Sequence, residues 1–232
     1  TVLSAVVAAS PAAAQSTDDI RSPEPPPGNP GAAPSGPTWR GPKALLLDSG
    51  PLVTHVGGGA GGADASRLQS TSLAMTTIGS NASVAGNFRL ADDFTVPAAG
   101  WSVSTITFFT YQSNETTCTI NDLRVQIWNG PPNAGGTVVF GDTTTNRFAS
   151  CTLTNIYRDT ETTVGNSARR IQAAAATVVT SLAAGTYWVD VQIGGTGASG
   201  PWVPPITIVG QTTTGNALQF TGSSSTWAAL ND

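Results

Sequence analysis

What most limits the fold of this chain is the rhythm of its apolar residues. From Lys43 onward they come in short runs, broken every few residues by Gly, Pro, Asn or Asp. The runs "ALLLD", "LVTHV", "SLAMTTI", "NFRLADDFTV", "WSVSTITFFTY", "LRVQIW", "GTVVFGD", "TLTNIY", "GTYWVDVQI", "PITIVG" and "ALQF" are rich in β-branched and aromatic residues. Such runs between turn formers are the pattern of strands. One stretch competes as a helix, "SARRIQAAAATVVTSLAA", yet its β-branched "TVVT" fits a strand equally well. A parallel α/β sheet needs helices alternating with its strands, and the pattern lacks them. The expectation is an all-β antiparallel β-sandwich, jelly-roll-like, forming a single domain over residues 43–232.

Two segments precede that domain. "TVLSAVVAASPAAAQ" reads as a partial signal peptide over residues 1–14, with Ala12 and Ala14 where a signal peptidase accepts small residues and cleavage after Ala14. At this length it is too short to span a bilayer, and the alternative is a short buried strand or helix. Residues 15–42 hold eight of the sixteen prolines, so they read as an extended, largely polyproline II linker or tail, pinned at most locally by Trp39. No transmembrane segment is expected.

Charge narrows the partners. The net charge is −4, only 10% of residues are charged, and Lys43 is the single lysine. Nucleic-acid affinity rests on clustered Lys and Arg, and the doublet Arg169–Arg170 is too small for it. Sparse charge with abundant Gly, Thr, Ser and Ala fits a secreted or cell-surface β-protein. In that setting Cys118 and Cys151, the only cysteines, imply one disulfide.

Catalytic signatures are weak. "PLVTHVGGGAGGADAS" matches a dinucleotide fingerprint at Gly57, Gly59 and Gly62, but that fingerprint works only between a strand and a helix whose N-terminus holds the pyrophosphate. "HVGGG" also resembles an esterase oxyanion loop, yet no Gly-x-Ser-x-Gly nucleophile elbow accompanies it; the nearest string, "GASGP", ends in Pro201. Residues 57–62 therefore read as a flexible connection, with Asp64 tying down the loop by bonding backbone amides. One histidine and two cysteines make no closed zinc site. No cofactor is expected, although a structural Ca²⁺ held by loop carbonyls with Asp64, Asp92, Asp93 or Asp122 remains an option. Alternation in "NFRLADDFTV" turns Asp92 inward with Phe88, Leu90, Phe94 and Val96. A buried acid is what a glycoside hydrolase needs as general acid, but a structural carboxylate explains the pattern as well.

The phase of two further strands points to a binding face. In "LRVQIW" the apolar set Leu123, Val125 and Ile127 leaves Arg124, Gln126 and Trp128 on the other side. In "YWVDVQI", Tyr187, Val189, Val191 and Ile193 face the core, leaving Trp188, Asp190 and Gln192 opposite. Tryptophan beside amide and charged groups suits sugars, whose apolar ring faces stack on indoles while their hydroxyls bond polar groups. Trp202, on the proline-stiffened "SGPWVPP", completes the candidate set as part of the platform or its lid. The alternative is that a loop or the Pro-rich tail covers both rings.

"ADDFTVPAAGWSVSTITFFTYQ", "VQIWNGPPNAGGTVVFGDTTTNR", "GTYWVDVQIGGTGASGPWVPPITI" and "GNALQF" together resemble a group of exported bacterial β-sandwich proteins of largely unassigned function. The resemblance covers residues 44–232 and implies location and fold rather than a reaction. Related chains continue past a segment like "STWAALND" into one more strand, so a sheet edge is expected to be unpaired here. Three functions follow as expectations. The first is a non-catalytic module binding polysaccharide or another cell-surface polymer. The second is a surface or filament subunit that self-associates by strand addition, through a sheet edge or the Pro-rich tail. The third is a glycan-active hydrolase using inward acids.

Overall fold

The computed structural model describes residues 5–9, 45–212 and 215–230. The Pro-rich segment 15–42, with Trp39, and the cleavage point after Ala14 lie outside the described residues, as does Lys43. The strands are β1 (Ala5–Ala9), β2 (Leu45–Asp48), β3 (Asp64–Leu68), β4 (Ser80–Asn81), β5 (Phe88–Val96), β6 (Trp101–Thr110) and β7 (Ile120–Trp128). They continue with β8 (Val138–Gly141), β9 (Phe148–Thr160), β10 (Arg170–Leu182), β11 (Gly185–Gly195), β12 (Trp202–Val203), β13 (Leu218–Thr221) and β14 (Thr226–Ala229). Among the described residues the sole helical turn is a short 3₁₀ segment, Ala60–Gly62.

Two six-stranded sheets form the sandwich, in the orders β2-β1-β6-β10-β9-β3 and β14-β13-β5-β11-β7-β8, with β12 and β4 pairing beside them. Their inner faces meet in one core. The first sheet contributes Ile106, Phe108, Ala174, Ala176 and Val178; the second contributes Leu90, Phe94, Leu123, Val125, Ile127, Val189, Val191 and Ile193. Alternation therefore places the apolar residues of β7 and β11 inward as their sequence phase requires. The stretch that competed as a helix is β10, a strand of 13 residues, in which Ala174, Ala176 and Val178 reach the core at period two while Thr177 and Val179 face solvent.

Cys118 and Cys151 are bonded. The link ties the turn before β7, in one sheet, to β9 in the other. Buried Gln172 runs beside it: its Oε1 accepts from Thr119 N at 2.9 Å and its Nε2 donates to Thr119 Oγ1 at 2.9 Å.

Three expected strands are absent. "LVTHV" makes only an isolated bridge between His55 and Ala65, and Gly57 then turns the chain at φ +66°. In "SLAMTTI" the carbonyls of Thr77 and Ile78 are taken by the buried Arg158 guanidinium rather than by a ladder. In "PITIVG" the Ile208 carbonyl accepts from Gln69 Nε2, and Thr207 Oγ1 donates to Arg67 O. "LVTHV" thus bridges to the backbone of Ala65 alone, while the other two segments give carbonyls to long side chains, so none of the three extends a ladder.

Four strands, β3, β4, β12 and β14, were not read as strands from the sequence, and β1 only as the alternative to a signal peptide. β3 pairs with β9 in parallel, a departure from the antiparallel expectation. It is fixed by Arg67, whose Nε and Nη2 both reach the buried Asp159 carboxylate at 2.8 Å. Ala5–Ala9, inside the segment read as a partial signal peptide, stands as β1 between β2 and β6, with Val7 opposite Ile106 and buried in the core.

Candidate functional site

The outer face of the second sheet gathers the residues singled out by strand phase. β11 lies antiparallel to β7 in a register that sets Trp188 opposite Trp128, Asp190 opposite Gln126, and Gln192 opposite Arg124. Six of the seven candidates thus form three successive cross-strand pairs on one face.

Asp190 is at the centre of this face and only 1% exposed. Its Oδ2 accepts from Arg89 Nη1 at 3.0 Å and from Trp128 Nε1 at 3.2 Å. Arg89 Nη1 also donates to Gln126 Oε1 at 2.8 Å. Burial pushes the Asp190 carboxyl up to about 7, against the pull of Arg89 and of the indole hydrogen bond. Arg89 is held from the other side by two rings: its guanidinium carbon lies 4.2 Å from the Phe220 centroid and 4.9 Å from that of Trp227. Its Nε is buried without an acceptor among the described residues.

The two paired tryptophans have different environments. Trp188 is 7% exposed and packs with Ala91 and Leu218, so its ring is a packing element. Trp128 is half-buried against that cluster, as is Trp227 from β14. Gln192 is buried and donates to Asn87 Oδ1 at 3.1 Å. Arg124 is paired with Asp122 at 2.9 Å and donates to Thr143 O.

Trp202 is not part of this face. It sits on β12 opposite Asn81, exchanges backbone hydrogen bonds with Tyr111, and donates from Nε1 to Ser199 Oγ at 3.2 Å. Conversely, the sequence reading left Arg89, Phe220 and Trp227 out of the site. Arg89 alternates with the inward set Phe88, Leu90 and Asp92 of β5 and so leaves the core side, which is a usable signal. No strand phase could bring in Phe220 and Trp227, because their approach depends on β13 pairing with β5.

The other chemical candidates are occupied by the fold. Asp64 Oδ1 accepts from Gly57 N at 2.9 Å, tying down the glycine loop, and Arg67 Nη2 donates to Gly58 O at 2.7 Å. The loop holds only the 3₁₀ turn Ala60–Gly62, and among the described residues no α-helix follows it to offer an N-terminus to a pyrophosphate. His55 Nδ1 lies 2.9 Å from Thr54 Oγ1. Asp92 is buried on the core face, and its Oδ1 accepts from Asp93 N at 2.9 Å. Asp93 lies on the outer face, opposite Trp188. Among the described residues no group of three or more His, Cys, Asp or Glu is arranged to hold a metal ion.

What this face can do follows from its parts: a half-buried indole of fixed orientation, a second indole, a ring-clamped cation, and amides. No known protein family matches the chain, and comparison with curated proteins and with solved structures finds no match either.

Proposed function

We propose that this chain is a non-catalytic extracellular binding module that takes a glycan or another hydroxyl-rich polymer across the outer face of its second sheet. The observation that carries the reading is the anchoring of Trp128 Nε1 on the buried Asp190 carboxylate. The bond fixes the plane of a ring that stays half-exposed, so stacking a sugar on it costs little side-chain entropy. Gln126 and Arg124 lie along the same strand with polar groups toward the same side. The Cys118–Cys151 disulfide supports a location in an oxidising compartment. Among the described residues no helix is long and apolar enough to cross a membrane.

Asp190 argues for binding over hydrolysis. A catalytic acid must touch its leaving group, and this carboxyl is covered and engaged by Arg89 and Trp128. The test is a polysaccharide pull-down and glycan array with the purified chain, repeated with Trp128→Ala. Retention that disappears in the variant supports the reading; no retention of any glycan by the parent chain overturns it.

One observation favours a second reading, assembly by strand addition. β1 fills the edge of β6 although residues 10–44, nine of them proline, separate it from β2. A strand joined through so long a segment can occupy its own sheet or that of a neighbouring copy. Concentration-dependent dimers in light scattering, lost when Val7 is replaced by Asp, would support it; a monomer at all concentrations would sink it.

A further inference from the structure

Following the outward residues of β7 from Trp128 through Gln126 and Arg124 leads to Asp122, which lies opposite Gly194 of β11. There the face falls away into a cavity of about 460 Å³. Its walls are the Ser83–Ala85 turn, Asn121 and Asp122, and the loop running from Gly194 to Pro201. We infer that this cavity is a binding site for a single neutral sugar ring, forming the terminal subsite of a track that begins at Trp128. The inference rests on the glycan reading of the outer face and adds to it a place, a chain-end preference and a direction.

Gly194, which lines the cavity, lets the Asp122 side chain lie close against β11: a Cβ there would stand 2.8 Å from Asp122 Cβ. Gly195, Gly197 and Gly200 line it too, so much of its surface is bare backbone. The volume lies within the range of small-molecule sites. Its polar groups suit hydroxyls. Ser83 Oγ accepts from Gly86 N at 3.1 Å, leaving its O–H as a donor, and Asn121 carries an exposed amide. The one lining carboxylate, Asp122, is neutralised by Arg124 at 2.9 Å, which disfavours a free cation or anion and leaves a neutral polyol as the matching class. Val84, Ala198 and Pro201 give the apolar wall that a sugar's ring face needs. Gly194 stands six residues along β11 from Trp188, so the track is about 20 Å long at strand rise. That length accommodates a short oligosaccharide ending in the cavity.

Ala198 is an exposed rim residue remote from the core, so Ala198→Trp fills the cavity while leaving the sandwich intact, which an unchanged melting temperature would verify. The probes are the methyl glycosides of glucose, mannose, galactose and N-acetylglucosamine, and their linear oligomers, added in amide-resolved NMR titrations. The expected result is that one glycoside shifts the amides of Gly194, Gly195 and Ala198, and that Ala198→Trp weakens binding of the matching oligomer by at least about tenfold. If oligomers perturb the Trp128 indole while the glycine amides stay silent and Ala198→Trp changes nothing, the cavity assignment is overturned and the outer-face reading stands. If the glycine amides respond but Trp128→Ala leaves oligomer binding unchanged, the outer-face reading fails and the cavity stands as an independent site. Silence with every probe overturns both.

Discussion

Arg89 and Asp190 form an ion pair at 3.0 Å on a sheet face rather than in the sandwich core, with side chains only 11% and 1% exposed. Two aromatic rings hold the guanidinium and an indole N–H holds the carboxylate, so a charged pair has been built into what strand phase alone would present as a wet surface. Removing one member of such a pair strands the other. Arg89→Met should cost about 3–5 kcal/mol in urea unfolding at pH 8, where Asp190 has lost its proton. The cost should be smaller near pH 5, where the carboxyl keeps it. An effect of the same size at both pH values would mean that packing against Phe220 and Trp227 dominates.

The same carboxyl gives the fold a distinctive pH response. Asp190 is raised from an ordinary value of 3.8 to about 7 by burial. Between those values the folded chain holds a proton that the unfolded chain has released, so this group's contribution makes stability fall as pH rises from about 4 to about 7. Asp190→Asn should flatten that part of the profile. The check is the difference between parent and variant unfolding free energies across the range; a difference that does not vary with pH would refute the assignment.

Trp128 and Trp188 face each other across β7 and β11 but should respond differently to truncation. Trp188→Ala empties a buried position and should destabilise by about 3–5 kcal/mol. Trp128→Ala removes a half-exposed ring and should lower stability less while reducing polysaccharide retention. Equal losses of stability in thermal melts would make both rings packing residues and leave the face without a binding ring.

Reduction of the Cys118–Cys151 bond frees a connection of 33 residues. In the chain-entropy account this should cost about 3–4 kcal/mol. A melting temperature unchanged by reductant, in protein whose thiols are shown to be free by mass spectrometry, would contradict it.

Asp92 is buried among core residues of β5 and accepts a hydrogen bond from the backbone of Asp93. Asp92→Asn should lower the melting temperature without abolishing any specific turnover. Loss of a hydrolytic activity at unchanged melting would instead favour a catalytic role.

How much of this was legible from the residues depends on the range of the interaction concerned. Period-two alternation is local, so the strands β5, β6, β7 and β11, their inward faces and the outward set from Trp128 to Gln192 could be read directly. The disulfide followed from two cysteines. The short β-branched runs near residues 54, 77 and 207 misled, because they are held by isolated bonds from other parts of the chain: His55 exchanges backbone bonds with Ala65, the Ile78 carbonyl accepts from Arg158 and the Ile208 carbonyl from Gln69, and no local pattern records that. β3 was invisible for the same reason: "DASRL" is a strand because Arg67 finds Asp159, 92 residues away. At the candidate site, the sequence by itself determined which side chains leave the core. Only the tertiary structure decided that Asp190 is covered, that Trp188 packs while Trp128 stays half-exposed, and that Trp202 lies elsewhere. Those outcomes depend on the β5–β11–β7 register and on β13 and β14 bringing Phe220 and Trp227 over Arg89, pairings between segments far apart in the chain whose relative positions no local periodicity encodes.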